Sequence, residues 1–112
     1  MKRHTGYGKE VDSLVKQLKQ RYNPEKIILY GSFGRGDYDE YSDIDMLIIK
    51  KTGKRFLDRI GEVLNLCDYT RAFEPLVYTP EEINAMRKSN SFIRNVLKEG
   101  KVVYESKPFN RG

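Results

Sequence analysis

Apolar residues recur at helical spacing in three segments of the chain. Spacings of three and four residues put one apolar face on each segment, which predicts three amphipathic helices packed against a core. Asn23-Pro24 ends the first helix, and Gly100 ends the third as a C-cap. The apolar positions are Val11, Leu14, Val15, Leu18 and Tyr22; then Phe56, Leu57, Ile60, Val63 and Leu64; and finally Phe92, Ile93, Val96 and Leu97.

Shorter apolar runs between these helices predict β-strands. Residues 26–30, 43–49 and 72–78 form three strands, and residues 101–104 are consistent with a fourth. The second helix lies between the second and third strands, where its length and position suit a crossover packed on the sheet. Strands alternating with helices predict an α/β (α+β) fold, a small mixed β-sheet flanked by helices.

The third predicted strand has two distinct faces and one irregular position. Pro75 cannot donate a ladder hydrogen bond, which indicates an edge strand or an irregular start. Alternation puts Glu74, Leu76 and Tyr78 on one face and Phe73 and Val77 on the other.

A further short helix is predicted directly after this strand. Thr79 suits the N-cap, Pro80 the first helical position and Glu82 the third, which together form a capping box. Glu81 and Glu82 therefore have a structural explanation, and neither is assigned to catalysis.

Length and composition limit what the chain can do. The 112 residues suffice for one domain, residues 1–112, with flexible tails expected at 1–8 and 107–112 and His4 as a solvated terminal side chain. Cys67 is the single cysteine, so we expect no disulfide and no cysteine-based zinc site, and the residue suits the core. No apolar run is long enough to span a membrane and no signal peptide is visible, so we expect a cytoplasmic protein.

The formal net charge is +5, from 21 basic and 16 acidic residues. Such a balance suits a polyphosphate ligand or an acidic partner, or simply a solvated basic surface. Lys and Arg are scattered and no stripe of basic and aromatic residues appears, so we expect no direct nucleic-acid binding.

The second predicted strand opens with two acidic residues, Asp43 and Asp45. Alternation places both carboxylates on one face and Ile44 on the other. Carboxylates at the head of an apolar strand are costly unless something compensates their charge. A divalent cation shared by both side chains is the simplest compensation.

The first strand ends abruptly in Gly31-Ser32. Glycine allows a close approach of the backbone, and serine is a good N-cap for a helix or turn whose free N–H groups would suit phosphate oxygens. Arg35 is either a phosphate contact or the partner of Asp37 or Asp39 in a surface ion pair. Lys50 and Lys51, after the second strand, either lean toward phosphates or are solvated. Neither a Walker A motif nor a dinucleotide fingerprint fits the glycine spacing.

Gly31-Ser32, ten residues and Asp43-x-Asp45 together resemble the G-S-x10-D-x-D signature of the nucleotidyltransferase superfamily that includes DNA polymerase β. With Arg35-Gly36 and Ser42-Asp43-Ile44-Asp45, the string is similar to the minimal nucleotidyltransferases of bacteria and archaea.

The resemblance implies the polymerase β-like fold, ATP as substrate and two Mg²⁺ ions bridged by Asp43 and Asp45. Gly31 and Ser32 would then hold the triphosphate. It also implies a third catalytic carboxylate on a later strand, for which Glu74 is the best match, although a strand-end carboxylate in water is the alternative.

The resemblance implies a function as well. Minimal nucleotidyltransferases are commonly antitoxins that transfer AMP from ATP to a tyrosine of a partner HEPN ribonuclease toxin. The chain has no H-x-Y motif, so it resembles the antitoxin and not the toxin. The alternatives are an antitoxin that acts by binding alone, and transfer to a small molecule or nucleic acid. A homodimer or hetero-oligomer is compatible with each of them.

Overall fold

Five helices and four strands make up residues 6–106, the part of the chain that the computed structural model describes. The elements follow the predicted order, and a one-turn helix is the form taken by the helix or turn expected after the first strand. They are α1 (Lys9–Arg21), β1 (Lys26–Tyr30), α2 (Gly31–Arg35), β2 (Ile44–Ile49), α3 (Phe56–Leu66), β3 (Phe73–Tyr78), α4 (Pro80–Met86), α5 (Ser91–Glu99) and β4 (Lys101–Glu105).

The four strands form one mixed sheet in the order β3-β2-β1-β4. β1 is antiparallel to both β2 and β4, whereas β2 and β3 run parallel. A parallel pair needs a crossover connection, and α3 supplies it as predicted. β3 lies at an edge of the sheet, which confirms the interpretation of Pro75.

Both faces of the sheet are covered, so the central strands are apolar on both sides. On one face Ile44, Met46 and Ile48 of β2 join a core with α1 and α3. On the other face Leu47 and Ile49 pack with residues of α4 and α5. Asp45 shares this second face, and it is therefore the exception in an otherwise buried strand.

Glycine is required at the turn from α5 into β4 for a different reason than the sequence predicts. Gly100 is the C-cap of α5, as predicted, but its φ of −69° is not left-handed. The glycine is needed for space, because a Cβ there would lie 2.5 Å from Ile28 Cγ2 and 2.6 Å from the Val96 carbonyl oxygen. Without a side chain, β4 can pair directly with β1.

The predicted tails fall mostly outside the description. Residues 1–5, with His4, and 107–112 are not among the described residues. Tyr7 packs against the core cluster that contains α1. Cys67 is buried in the same cluster, and burial raises the pKa of its thiol. No helix within residues 6–106 has the length and apolarity needed to cross a membrane.

A buried arginine that the sequence pattern did not reveal connects α3 to the end of β3. Arg59 is only 6% exposed, and its guanidinium donates to both carboxylate oxygens of Glu82, at 2.7 and 3.1 Å. It also donates to the backbone carbonyls of Lys54, at 2.7 Å, and Val77, at 3.1 Å. The capping box between Thr79 and Glu82 is present as predicted. Glu82 thus both completes the capping box at the start of α4 and neutralises the Arg59 guanidinium.

Glu82→Gln should lower the free energy of unfolding, because it leaves the Arg59 guanidinium buried without a counter-charge. The amide can still serve in the capping box, so the variant tests the ion pair. We expect a loss of about 2 kcal/mol, below the value for fully buried pairs because the Glu82 side chain is 40% exposed. Urea unfolding measures it. Glu81→Gln, on the same helical turn, should change stability by less than about 0.5 kcal/mol, and equal effects of both variants would contradict the assignment.

Candidate active site

The turn that follows β1 begins with a glycine whose conformation other residues rarely adopt. Gly31 has a φ of +70°, and a Cβ there would lie 2.5 Å from Asp45 Oδ2. The backbone of the turn therefore lies directly against the carboxylate of the neighbouring strand. Only glycine meets both requirements, the left-handed backbone and the close approach.

Ser32 is not the N-cap that its position suggested. Helix α2 begins at Gly31, two residues earlier than a Ser32 N-cap would give, and Tyr30 is an N-cap that makes no side-chain cap hydrogen bond. The left-handed Gly31 turns the chain at the strand end, so that Ser32 falls inside the first helical turn. Within the described chain the Ser32 hydroxyl has no hydrogen-bond partner, whereas its carbonyl accepts from Gly36 and Asp37.

The carboxylates of Asp45 and Glu74 lie on adjacent strands. Asp45 of β2 is the register partner of Glu74 on β3 and of Tyr30 on β1. Asp43 directly precedes β2, two residues before Asp45 and therefore on the same face. The structure thus brings the three predicted acidic residues to one end of the sheet.

The pKa values of Asp45 and Tyr30 agree with this clustering of carboxylates. The pKa of Asp45 is raised from the usual 3.8 to about 6, first by burial and then by the negative charges of Glu74 and Asp43. Burial and the charges of Asp45 and Glu74 also raise the pKa of Tyr30. Within the described residues none of the three carboxylates forms an ion pair with Lys or Arg. The site gathers negative charge without a protein cation to offset it.

The three carboxylates fit a hard divalent cation in their chemistry. Oxygen ligands are the ones that Mg²⁺ prefers, and clustered uncompensated carboxylates favour a cation. As the side chains stand, however, no three His, Cys, Asp or Glu residues within 6–106 form a metal-binding group. Asp43 and Glu74 are exposed and Asp45 is only partly so, so a cation would need at least the two exposed side chains to turn inward.

Two predicted phosphate contacts have other partners. Arg35 Nε lies 3.2 Å from Asp37 Oδ2 in an exposed ion pair, the alternative that the sequence left open. Lys50 follows β2 at the end opposite to Asp45, where its Nζ donates to the Tyr22 carbonyl at 2.7 Å and lies 4.8 Å from the centre of the Tyr22 ring. Lys50 is thus a cap for the end of α1, and the exposed Lys51 beside it lies at the same distant end.

The family described as "Polymerase beta, Nucleotidyltransferase" matches residues 12–109. The chain belongs to this nucleotidyltransferase family. The sequence resemblance and the enzyme class that it implied are therefore confirmed.

Two relatives from Methanocaldococcus jannaschii support the same assignment. The chain is 40% identical over 99 residues to "Putative protein adenylyltransferase MJ0604". The aligned residues cover 86% of this chain and 96% of the relative. It is 29% identical over 107 residues to "Putative protein adenylyltransferase MJ1305", over 88% of this chain and 72% of the relative.

A solved structure confirms the predicted fold. It is described as the crystal structure of a "putative nucleotidyltransferase" from Sulfolobus solfataricus and matches with a TM-score of 0.52. The match covers 90% of this chain and 92% of that chain, at 23% identity.

Arg71 supports the acidic end of the nucleotidyltransferase sheet, a role that no sequence pattern indicated. Its Nη1 donates to the carbonyls of Asp39, at 2.9 Å, and Ser42, at 3.1 Å, in the loop that leads to Asp43. Its guanidinium lies 5.2 Å from the centre of the Phe33 ring in α2. One side chain from the loop before β3 therefore contacts both the loop that leads to Asp43 and helix α2.

The raised pKa of Asp45 predicts a pH-dependent stability. Between about pH 4 and 6 the folded chain binds more protons at this carboxyl than the unfolded chain does. This contribution to the free energy of unfolding is therefore full at low pH and is lost as the pH rises through about 6. Urea unfolding from pH 4 to 7 should show wild type losing stability relative to Asp45→Asn over this window. Glu40→Gln, in the exposed loop, should follow wild type, and a pH-independent difference for Asp45→Asn would contradict the shift.

Proposed function

We propose that this nucleotidyltransferase acts in the cytoplasm as a single domain and transfers AMP from ATP to a tyrosine of a partner protein. The observation that carries the proposal is that Asp43, Asp45 and Glu74 lie at one end of the sheet beside the Gly31 turn, with no ion pair to Lys or Arg among residues 6–106. Two relatives named as protein adenylyltransferases support a protein acceptor. The resemblance to minimal nucleotidyltransferases supports a HEPN ribonuclease toxin as that partner, which would make the chain an antitoxin.

Asp43, Asp45 and Glu74 are the residues that would hold the two Mg²⁺ ions. When bound, the ions neutralise the charge that develops on the phosphates. Asp45 suits this role because its carboxylate is both partly buried and flanked by negative charge. The exposed Asp43 and Glu74 side chains would turn toward the cation.

The turn after β1 would hold the donor nucleotide. The Ser32 hydroxyl has no partner in the described chain and can donate to a phosphate oxygen. The backbone of Gly31 passes beside the Asp45 carboxylate, so a triphosphate on the turn lies next to the acidic group. Arg35 can add a positive charge if its exposed ion pair with Asp37 opens.

The transfer itself requires alignment and one proton acceptor. The tyrosine oxygen forms a bond to the α-phosphorus while the bond from that phosphorus to pyrophosphate breaks. The phenolic proton goes to Glu74, the exposed carboxylate on the edge strand that is open to an incoming protein. The products are the AMP–tyrosine ester and pyrophosphate.

Asp43→Asn and Asp45→Asn should abolish transfer while the fold persists, since both positions accept an amide of the same shape. The loss should exceed the ~10–100-fold that removal of an outer-shell metal partner costs, and Glu74→Gln should slow transfer severely. Incubation with Mg²⁺, ATP and the protein encoded beside it in the genome, followed by intact-mass measurement of both chains, reports the product. Glu40→Gln is the matched control and should keep full activity.

A neighbour heavier by one or more AMP units with wild type, but not with Asp43→Asn, is the expected result. A tight complex without added mass would favour an antitoxin that acts by binding alone. Full transfer by either aspartate variant would overturn the assignment of the carboxylates.

Ser32→Ala should weaken ATP binding more than Arg35→Lys does. The alanine removes a hydrogen bond to a charged oxygen, for which we expect about a tenfold loss of affinity, whereas lysine keeps the charge of an exposed side chain. Calorimetric titration with ATP and Mg²⁺ measures both variants. The reverse order of effects would make Arg35 the main phosphate contact.

A further inference from the structure

A groove of about 230 Å³ lies between α2 and α5, beside the glycine turn. We propose that this groove binds the nucleobase of the donor nucleotide and favours a base with an exocyclic amino group, adenine first. The inference rests on the proposed nucleotidyl transfer and assigns the part of the site that selects the nucleotide. The residues that carry it are Tyr30, Gly31, Arg35, Phe92, Asn95 and Glu99, all of which line the groove.

The residues that line the groove indicate that it holds part of the donor nucleotide and not the acceptor. Gly31 and Arg35 of the proposed phosphate-holding turn line it, whereas Asp43, Asp45 and Glu74 do not. An acceptor must reach the carboxylates, where the new bond forms, but a base need only be joined to the phosphates on the turn. The volume is below the ~300–1,000 Å³ typical of pockets for whole drug-sized ligands, so it suits one ring system and not an entire nucleotide.

Phe92 provides an aromatic surface at the mouth of this groove. Its side chain is 43% exposed, unusual for a large apolar residue on a helix whose other apolar side chains pack inward. The ring meets Tyr30 edge-on, with centroids 5.5 Å apart and planes at 78°. Tyr30 thereby fixes the orientation of the exposed ring, and a planar base can stack on such a surface.

Asn95 and Glu99 supply polar groups for the edge of a base. They lie one helical turn apart on α5 and line the same groove. Neither side chain makes a hydrogen bond or ion pair within the described part of the chain. An Asn amide can pair with the amino group and the ring nitrogen of adenine, and a carboxylate can accept from an exocyclic amino group.

The contribution of the groove can be separated from that of the phosphate-holding turn by comparing the affinity for ATP with the affinity for tripolyphosphate. Calorimetric titrations in Mg²⁺ would use ATP, UTP and inorganic tripolyphosphate with wild type, Phe92→Ala, Asn95→Ala and Lys98→Ala. Phe92→Ala should weaken ATP about tenfold through lost stacking and leave tripolyphosphate unchanged. Asn95→Ala should lower the ratio of ATP to UTP affinity about tenfold. Lys98→Ala, exposed on the same helix outside the groove, should behave as wild type.

The outcomes distinguish this inference from the proposed function. Unchanged ATP affinity in both groove variants, with wild-type binding intact, would overturn the nucleobase site and leave the transferase proposal standing. Equal losses for ATP and tripolyphosphate would show that the groove acts on the phosphates, which also overturns it. Failure of wild type to bind either ligand would overturn the proposed function and this inference together.

Discussion

The whole site depends on the placement of one partly buried carboxylate, Asp45, inside a strand that is otherwise apolar. On its two sides the sheet supplies Tyr30 and Glu74, and the backbone of Gly31 closes the strand end beside it. A shift of β2 by one residue against either neighbour would turn the carboxylate to the other face of the sheet. The registers of β1 with β2 and of β2 with β3 therefore determine on which face of the sheet this carboxylate lies.

Different interactions hold the two ends of the parallel strand pair. Near the carboxyl ends, Arg59 joins α3 to the Val77 carbonyl and to Glu82 at the start of α4. At the amino ends, Arg71 holds the loop that leads to Asp43. The Arg59 guanidinium is buried and connects the crossover helix to the sheet, whereas Arg71 lies beside exposed acidic side chains. A buried ion pair thus lies at one end of β2 and β3, and the acidic side chains lie at the other.

Local sequence signals predicted most of the fold. The apolar run at 26–30 gave β1 its observed bounds, alternation placed Asp43 and Asp45 on one face, and the capping box located α4. Glu74 was added to the acidic group only because the family resemblance implies a third carboxylate. Long-range contacts had no such signal: nothing in the spacing of α3 marks Arg59 as buried, and Arg71 is one more surface-type residue in a loop. The predicted N-cap, Ser32, lies two residues after the observed one, Tyr30, because the left-handed Gly31 starts the helix earlier. The acceptor and partner depend on surfaces outside this chain, so the motif supports them only by resemblance.

Because the pKa of Asp45 is raised, a proton competes with any cation for this carboxylate. A metal ion held there must displace that proton, so its capture would acidify a weakly buffered solution near pH 6. Below that pH the occupancy would fall even with the metal concentration held constant. Burial of this carboxyl and the negative charges beside it would thereby make metal binding depend on the acidity of the surroundings, without a histidine.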